Sequence, residues 1–299
     1  MNFTHLAAFL AVVEAGSVTG ASARLHVSQP ALTREIRDLE ERLGITLFDR
    51  LPRGMSPTEA GRLLAGYATR IFSLAEEAEA ALDEFSGLVR GNLKLAASRT
   101  IGSYLLPLAL DQFCSLYPGV TVDVAEMNTE HVEGALLTYE RQLGFVEGPY
   151  DTAAFDSMLL GRDTLIAVAA PSHPLARRRK IQIRDVAKHD VLSREPGSGT
   201  RNAIEAAFAE HGLDFAPRLS VGSAEAMNRL LGRGNTIAWV SRITVESELT
   251  AGLLVPLNVV DLTIERDLTI IWHKGSTLSP SAQKFRDLLV EGARMLVAP

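Results

Sequence analysis

Phe3, Leu6, Phe9, Leu10 and Val13 recur at helical spacing until Gly16-Ser17 interrupts the pattern. Val18 to Leu25 is a second, Ala-rich helical stretch. His26-Val27-Ser28 then turns the chain into a third helix, with Ser28 as N-cap and Pro30 in the first turn, where its missing N–H costs nothing. Leu32, Ile36, Leu39 and Leu43 step by four, three and four, one apolar stripe facing a core, and Gly44 ends the helix. Leu47-Phe48-Asp49-Arg50 is a short extended run and Pro52-Arg53-Gly54 a turn, which together read as a two-stranded wing or as a solvated loop. Ser56-Pro57-Thr58-Glu59 has the form of a capping box with Pro at the first helical position. In the helix that follows, Leu64, Tyr67, Ile71, Leu74, Ala78, Ala81 and Phe85 alternate spacings of three and four, the seam of a coiled coil. A seam on an isolated long helix implies a second copy, hence a homodimer; packing on the chain's own C-terminal part is the alternative.

Gly87 to Gly91 reads as a linker, and beyond it the periodicity changes to strands alternating with helices. Leu93–Ala97, Val120–Ala125 and Leu143–Val146 are expected strands, separated by helices over Tyr104–Leu116 and Glu130–Leu137. A second unit is expected from Leu165–Ala170, Asp190–Leu192, Ala203–His211, Leu219–Val221, Ala224–Leu231 and Ile237–Val240. Leu268–Trp272 and an amphipathic helix, Ser279–Leu296, close the chain. Two similar α/β lobes in series suggest a clamshell with a ligand cleft between them.

Length and composition narrow the class. A chain of 299 residues, 46% hydrophobic and 22% charged, has room for two or three compact units of an ordinary globular protein. One cysteine, Cys114, excludes an intrachain disulfide and any multi-cysteine metal site, and its apolar neighbours suggest a packed thiol. The apolar stretch Leu6 to Val13 has no Lys or Arg before it and no A-x-A-like site after it, so it does not read as an export signal. No run approaches the roughly 18 apolar residues of a membrane span, and a cytoplasmic protein is expected. The net charge of −6, and the six Arg against six acids in residues 1–58, give no electrostatic argument for a polyanion partner. That case rests on placement. Opposite its apolar stripe, the third helix carries Gln29, Pro30, Thr33, Arg34 and Arg37, an amide, a hydroxyl and two guanidiniums side by side, as major-groove reading requires.

In open α/β sheets ligands bind beyond the carboxyl ends of strands. Ser98-Arg99-Thr100, Asn128-Thr129 and the run Arg194-Glu195-Pro196-Gly197-Ser198-Gly199-Thr200-Arg201 stand there, each leading into a helix. Glycines that admit backbone N–H groups, a helix N-terminus and Ser, Thr and Arg donors suit a small anion; each loop taken singly is also an ordinary capped turn. No G-x-S-x-G, Walker A, H-E-x-x-H or G-x-G-x-x-G occurs, and the seven His residues lack ligand spacing, so neither an enzyme nor a metal site is expected.

Val18 to Arg53, with Ser28-Gln29-Pro30-Ala31-Leu32, Leu39-Glu40-Glu41-Arg42-Leu43-Gly44, Leu47-Phe48-Asp49-Arg50 and then Thr58-Glu59-Ala60-Gly61, resembles the DNA-binding segment of LysR-type transcriptional regulators. Gly91-Asn92-Leu93-Lys94-Leu95, Tyr104-Leu105-Leu106-Pro107, His173-Pro174-Leu175-Ala176 and the Arg194–Arg201 run resemble the sensor domain of the same family. Thr100-Ile101-Gly102, Val146-Glu147-Gly148 and the Arg-Glu-Pro-Gly-Ser-Gly-Thr-Arg run are similar to the subgroup regulating carbon fixation and sulfur assimilation. The resemblance implies a winged helix-turn-helix over 1–58, a dimerising linker helix over 59–90, and a two-lobed, periplasmic-binding-protein-like α/β effector domain over 91–299. Its first lobe would be 91–162 with 267–299 and its second 163–266.

It also implies promoter DNA as partner, a small-molecule co-inducer with no other cofactor, a homodimer assembling to a homotetramer, and RNA polymerase as a further partner. Ser28 is expected at the DNA, Gln29, Pro30, Thr33, Arg34 and Arg37 in its major groove, and Arg50 and Arg53 on phosphates or in the minor groove. Ser98, Arg99, Thr100, Asn128, Thr129, Thr200 and Arg201 are expected around an anionic metabolite. Arg99 stands where many relatives have a small hydroxyl residue, and either adds to the anion site or fills it. A transporter's solute-binding protein would share the clamshell but have no use for residues 1–88.

Overall fold

The computed structural model describes residues 1–51, 54–85 and 91–296. They form two compact units, Met1–Glu79 with Thr138–Glu140, and Ala80–Leu137 with Arg141–Pro299.

The first unit opens with helices α1 (Phe3–Ala15), α2 (Val18–Leu25) and α3 (Gln29–Leu43). Their ends are set locally. Gly16 and Gly44 adopt the left-handed conformation that closes α1 and α3, Ser17 accepts from the Gly20 N–H, and Ser28 accepts from the Ala31 N–H. Phe9, Val12, Ala21, Leu32, Ile36, Leu39, Leu47 and Phe48 form the buried core. Leu43, expected to continue the stripe of α3, is instead exposed, at the last helical residue before the Gly44 cap. Strands β1 (Phe48–Leu51) and β2 (Gly54–Pro57) pair antiparallel, and Pro52 and Arg53 between them lie outside the described residues.

The long helix α4 (Glu59–Phe85) begins two residues later than a capping box at Ser56 requires. Ser56 and Pro57 belong to β2, opposite Asp49 and Phe48, and Thr58 is the cap: its hydroxyl accepts from Gly61 N–H (3.0 Å) and donates to the Thr46 carbonyl (2.9 Å). The pull of the strand pairing thus overrides the capping motif. The linker read at Gly87–Gly91 falls outside the described residues up to Gly91, which opens the next strand.

The second unit is built on one seven-stranded sheet. In chain order its elements are β3 (Gly91–Ser98), a π-helical turn (Ile101–Leu105), α5 (Leu106–Leu116), β4 (Val120–Met127), α6 (Thr129–Leu137), β5 (Leu143–Glu147) and β6 (Phe155–Ala169). They continue with α7 (Ile183–Val186), β7 (Leu192–Arg194), α8 (Gly199–Glu210), β8 (Leu219–Val221), α9 (Ala224–Leu231) and β9 (Ile237–Ser241). Last come α10 (Glu246–Thr250), β10 (Val255–Pro256), β11 (Ile264–His273) and α11 (Pro280–Leu296). β3 lies parallel between β4 and β5, β11 runs antiparallel to β5 and β6, and β9 and β10 extend β6.

Two lobes exist, but not as two units in series. β6 starts at Phe155, ten residues before the strand expected at Leu165, and β11 starts at Ile264 rather than Leu268. Both run unbroken from one hydrophobic cluster to the other. Leu93, Leu95, Ile101, Phe113, Phe145, Ile270 and Phe285 form the core of the first lobe, and Leu165, Ile183, Ile204, Phe208, Trp239 and Ile264 that of the second. The passage between cores falls where Arg162 faces Asp267 and Asp163 faces Arg266 in the strand register. Cys114, expected to be packed, is exposed: it follows the fully buried Phe113, and a step of one helical residue turns it outward.

Candidate functional site

Gln29, Pro30, Thr33, Arg34, Arg37, Asp38 and Glu41 line one open surface along α3. The side chains of Arg34 and Arg37 are 82% and 76% exposed, each steered by a carboxylate one turn later: Arg34 with Asp38 at 3.7 Å, Arg37 with Glu41 at 2.7 Å. Arg24 is likewise paired with Glu14. Pairs this exposed contribute little stability and exchange readily, so the electrical neutrality of residues 1–58 records local partners rather than an absence of presented cations. Ser28 caps the helix, and the Thr33 hydroxyl bonds back to the Gln29 carbonyl at 2.8 Å. Arg50 sits in β1 opposite Met55; its side chain, all of Arg53 and the side chain of Phe85 lie outside what is described.

On α4 the expected seam divides. Leu64 packs on the core of the first unit, whereas Tyr67, Leu74 and Ala78 are exposed and Ile71 is half-buried. Leu63 and Leu82, absent from the expected seam, are exposed as well.

The second site gathers where β3, β5, β6, β9, β11 and α8 meet. Arg266 is buried on β11 and donates to Glu147 at the end of β5, to the Thr200 hydroxyl (2.7 Å) and, through Nε and Nη2, to Asp163 on β6 (2.9 and 2.6 Å). Ser98 Oγ donates to Glu147 (2.8 Å) and Ser241 Oγ to Asp163 (2.9 Å). Every charge in this buried knot therefore has a partner and a second hydrogen bond, the condition under which buried ions are tolerated.

Beside the knot is a cavity of about 20 Å³ lined by Thr100, Arg194, Thr200, Ala224, Met227, Asn228, Trp239, Val240, Ser241 and Thr244. Asn228 donates to the Thr244 carbonyl (3.0 Å) and to Glu248 (2.9 Å), while its side-chain oxygen is buried with no hydrogen-bond partner among the described residues. Of the expected residues, Thr100 and Thr200 line this cavity. Ser98 braces it through Glu147, and Asn128 holds the neighbouring loop by donating to the Pro196 carbonyl (3.2 Å). Thr129 is buried against Gly199, with its hydroxyl unpartnered among the described residues. Arg201 turns away: it pairs with Glu205 (2.7 Å) and donates to Ser220 (3.2 Å).

Arg99 reaches Glu195 Oε1 at 2.5 Å, and Arg194 grips both oxygens of the same carboxylate, at 2.9 and 3.2 Å. Burial pushes the Glu195 carboxyl up, but the hydrogen bond and charge of Arg194, with the charge of Arg99, outweigh it and hold the group below the usual carboxylate range. Glu195, Arg194, Glu147, Asp163, Arg266 and Asn228 were not singled out as binding residues by their spacing. Arg194 and Glu195 stand inside the run that was; the others reach the site only through long-range pairing.

The model of the LysR substrate binding domain matches residues 86–294, and that of the bacterial regulatory helix-turn-helix protein, lysR family, matches residues 3–62. The chain belongs to the LysR family. Among its relatives, the RuBisCO operon transcriptional regulator of Allochromatium vinosum is 32% identical over 296 residues, 99% of this chain and 98% of that one. That relative accords with the carbon-fixation and sulfur-assimilation subgroup whose motifs the Arg194–Arg201 run resembles. The full-length regulator CbnR complexed with target DNA shares the fold, with a TM-score of 0.69 at 24% identity over 97% of this chain and 99% of that one. The regulatory domain of Synechocystis CcmR in complex with 2-PG has a TM-score of 0.62 at 30% identity, over 69% of this chain and 98% of that one. This LysR-family chain is thus a DNA-binding transcriptional regulator with an effector-binding domain, neither an enzyme nor a transporter's solute-binding protein. No helix among the described residues is long and apolar enough to cross a membrane.

Proposed function

We propose that the chain binds promoter DNA in the cytoplasm through the exposed face of α3 and changes transcription when a small anionic metabolite enters the cavity beside Arg266. The observation that carries the DNA assignment is the open surface on which Gln29, Thr33, Arg34 and Arg37 stand together, the amide, hydroxyl and guanidinium donors that major-groove reading uses. Arg50 and Arg53, on and beside the wing, take phosphates or the minor groove. Residues 1–58 form the reading head, 59–90 the dimerising helix and 91–299 the sensor, its lobes meeting at residues 162–163 and 266–267. Two dimers form a tetramer, and RNA polymerase is the partner through which occupancy is read.

For the effector, Thr100, Arg194 and Thr200 supply donors and charge, the N-terminus of α8 faces the same place, and the unpartnered Asn228 oxygen calls for a donor. A ligand with an anionic group at one end and a hydroxyl at the other satisfies both. The 2-PG complex of the CcmR regulatory domain supports a small metabolite at the corresponding domain. A cavity of about 20 Å³ holds little more than one water, so a metabolite enters with a change in the angle between lobes. Ser98, Asn128 and Thr129 frame the site, and Arg201 anchors α8 to β8.

DNase footprinting on the DNA flanking the gene tests the whole reading. Arg34→Ala should weaken specific binding by about 1 to 3 kcal/mol and relax base preference. Unchanged affinity and preference would remove Arg34 from the groove, and a footprint indifferent to a panel of anionic metabolites would remove the effector.

A further inference from the structure

The guanidiniums at the cleft already have their anions. Arg266 is matched by Glu147 and Asp163, and Arg99 and Arg194 share Glu195. Three cations face three carboxylates, so an anion added to this small, mostly buried volume arrives without a countercharge, which is costly. One of the resident carboxylates has to give way.

Glu147 and Asp163 are poorly placed to do so. Each is pinned by Arg266 and by hydroxyls, Glu147 by Ser98 and Thr200 and Asp163 by Ser241, and Glu147 is almost wholly buried. Glu195 differs on every count. It is the most exposed of the three, 23% at the side chain, and both its side-chain partners are arginines. Its loop contains Gly197 in the left-handed region and passes close to Asn128 and Glu130, where a Cβ on Gly197 would lie 2.3 Å from the Glu130 carboxylate. On the other side Gly222 leaves just enough room for Arg99: a Cβ there would lie 3.3 Å from its Nη1. Arg99 follows β3 in the first lobe and Glu195 follows β7 in the second, so this ion pair also joins the lobes.

We infer that Glu195 is a resident counter-anion whose carboxylate occupies the seat between Arg99 and Arg194 that the anionic group of the effector takes. Ligand entry is then an exchange: one carboxylate swings out to water as another anion docks, and the Arg99 link between lobes passes from protein to ligand. Glu195 in this role determines specificity. A neutral molecule cannot compete for the two arginines, and a weakly held anion loses to the tethered carboxylate, whose effective concentration at the seat is high. It also answers which role Arg99 plays, since the same guanidinium holds Glu195 in one state and ligand in the other.

The inference rests on the effector reading above, and inorganic phosphate as probe separates the two. Calorimetric titration of the full chain with phosphate at low ionic strength should show binding at least about tenfold tighter, about 1.4 kcal/mol, for Glu195→Gln than for the native chain. The gain should vanish in Glu195→Gln with Arg99→Gln. No gain in a folded Glu195→Gln chain, or a gain that survives loss of Arg99, overturns the proposal. Should Glu195→Gln fail to fold, Glu195→Asp, which withdraws the carboxylate by one methylene, takes its place with a smaller gain and the same criteria. A chain whose footprint still responds to a metabolite while these variants show no gain keeps the effector and loses the exchange.

Discussion

A methyl group on Gly61 would lie 2.2 Å from the carbonyl oxygen of Leu47, which accepts the Thr58 N–H at 2.9 Å. Helix α4 can therefore rest on the backbone just ahead of β1 because position 61 has no side chain. The caps at Ser28 and Gly44 were legible in sequence since cause and effect sit a few residues apart, whereas the Gly61 contact joins residues fourteen apart and was not. His173 was legible as part of the His173-Pro174-Leu175-Ala176 motif, but its role was not. It is buried, its Nδ1 accepts the Leu175 N–H at 3.2 Å, and the His189 ring stands 5.0 Å away. Burial, then the charge of His189, lowers its pKa. With the folded value below the unfolded one of about 6.5, the unfolded chain binds the proton first as pH falls, so stability present above about pH 6.5 is lost through the range below it. His173→Asn keeps an acceptor for Leu175 and removes the titration. Urea midpoints at pH 7.5 and 5.5 should differ less for this variant than for the native chain; an equal difference would assign the pH dependence elsewhere. His211 acts in the opposite sense, its pKa raised by its bond to the Ala207 carbonyl, so the comparison is between variant and native chain rather than between pH values alone.

Among the elements, α4 shows how far periodicity reaches. The spacing of apolar residues identified the helix, yet Leu64 proved to serve the core of its own unit, and Leu63 and Leu82 are exposed without having been counted in the seam. Spacing defines a stripe but not which neighbour covers each part of it. With Leu74 and Leu82 among the most exposed apolar residues of the chain, Leu74→Glu combined with Leu82→Glu should weaken self-association at least about tenfold, about 1.4 kcal/mol, while leaving the circular dichroism of the chain unchanged. Light scattering that gives the same mass for variant and native chain at micromolar concentration would place the subunit contact elsewhere. The strands β6 and β11 mark the other limit. Their crossing segments carry Gly161, Arg162, Asp163, Arg266 and Asp267, residues left outside the expected strands, which strand pairing and the Arg266 knot hold as sheet.

Taken as a whole, the sensor unit is held at its waist by that knot. Arg266→Met would leave Glu147 and Asp163 buried without a cation and should cost about 3 to 5 kcal/mol, seen as a lower urea midpoint for the sensor transition. A loss below about 1 kcal/mol would mean that the carboxylates relax to water and that the crossing is looser than its geometry. The overall plan, a reading head, a long helix and a two-lobed sensor, was legible because each part has its own periodicity and punctuation. The charge balance of the cleft was not: Arg99 and Glu195, or Glu147 and Arg266, stand about a hundred residues apart, and nothing local in either marks the other.

The passage of β6 and β11 through both lobes also fixes an order of events during synthesis. The first lobe begins at Gly91, but its core needs Ile270 from β11 and Phe285 from α11, whereas the second lobe has its core residues in hand once Ile264 is made. The lobe that leaves the ribosome first is consequently the one that must wait, with Leu93, Phe113 and Phe145 uncovered until the last stretch of chain arrives.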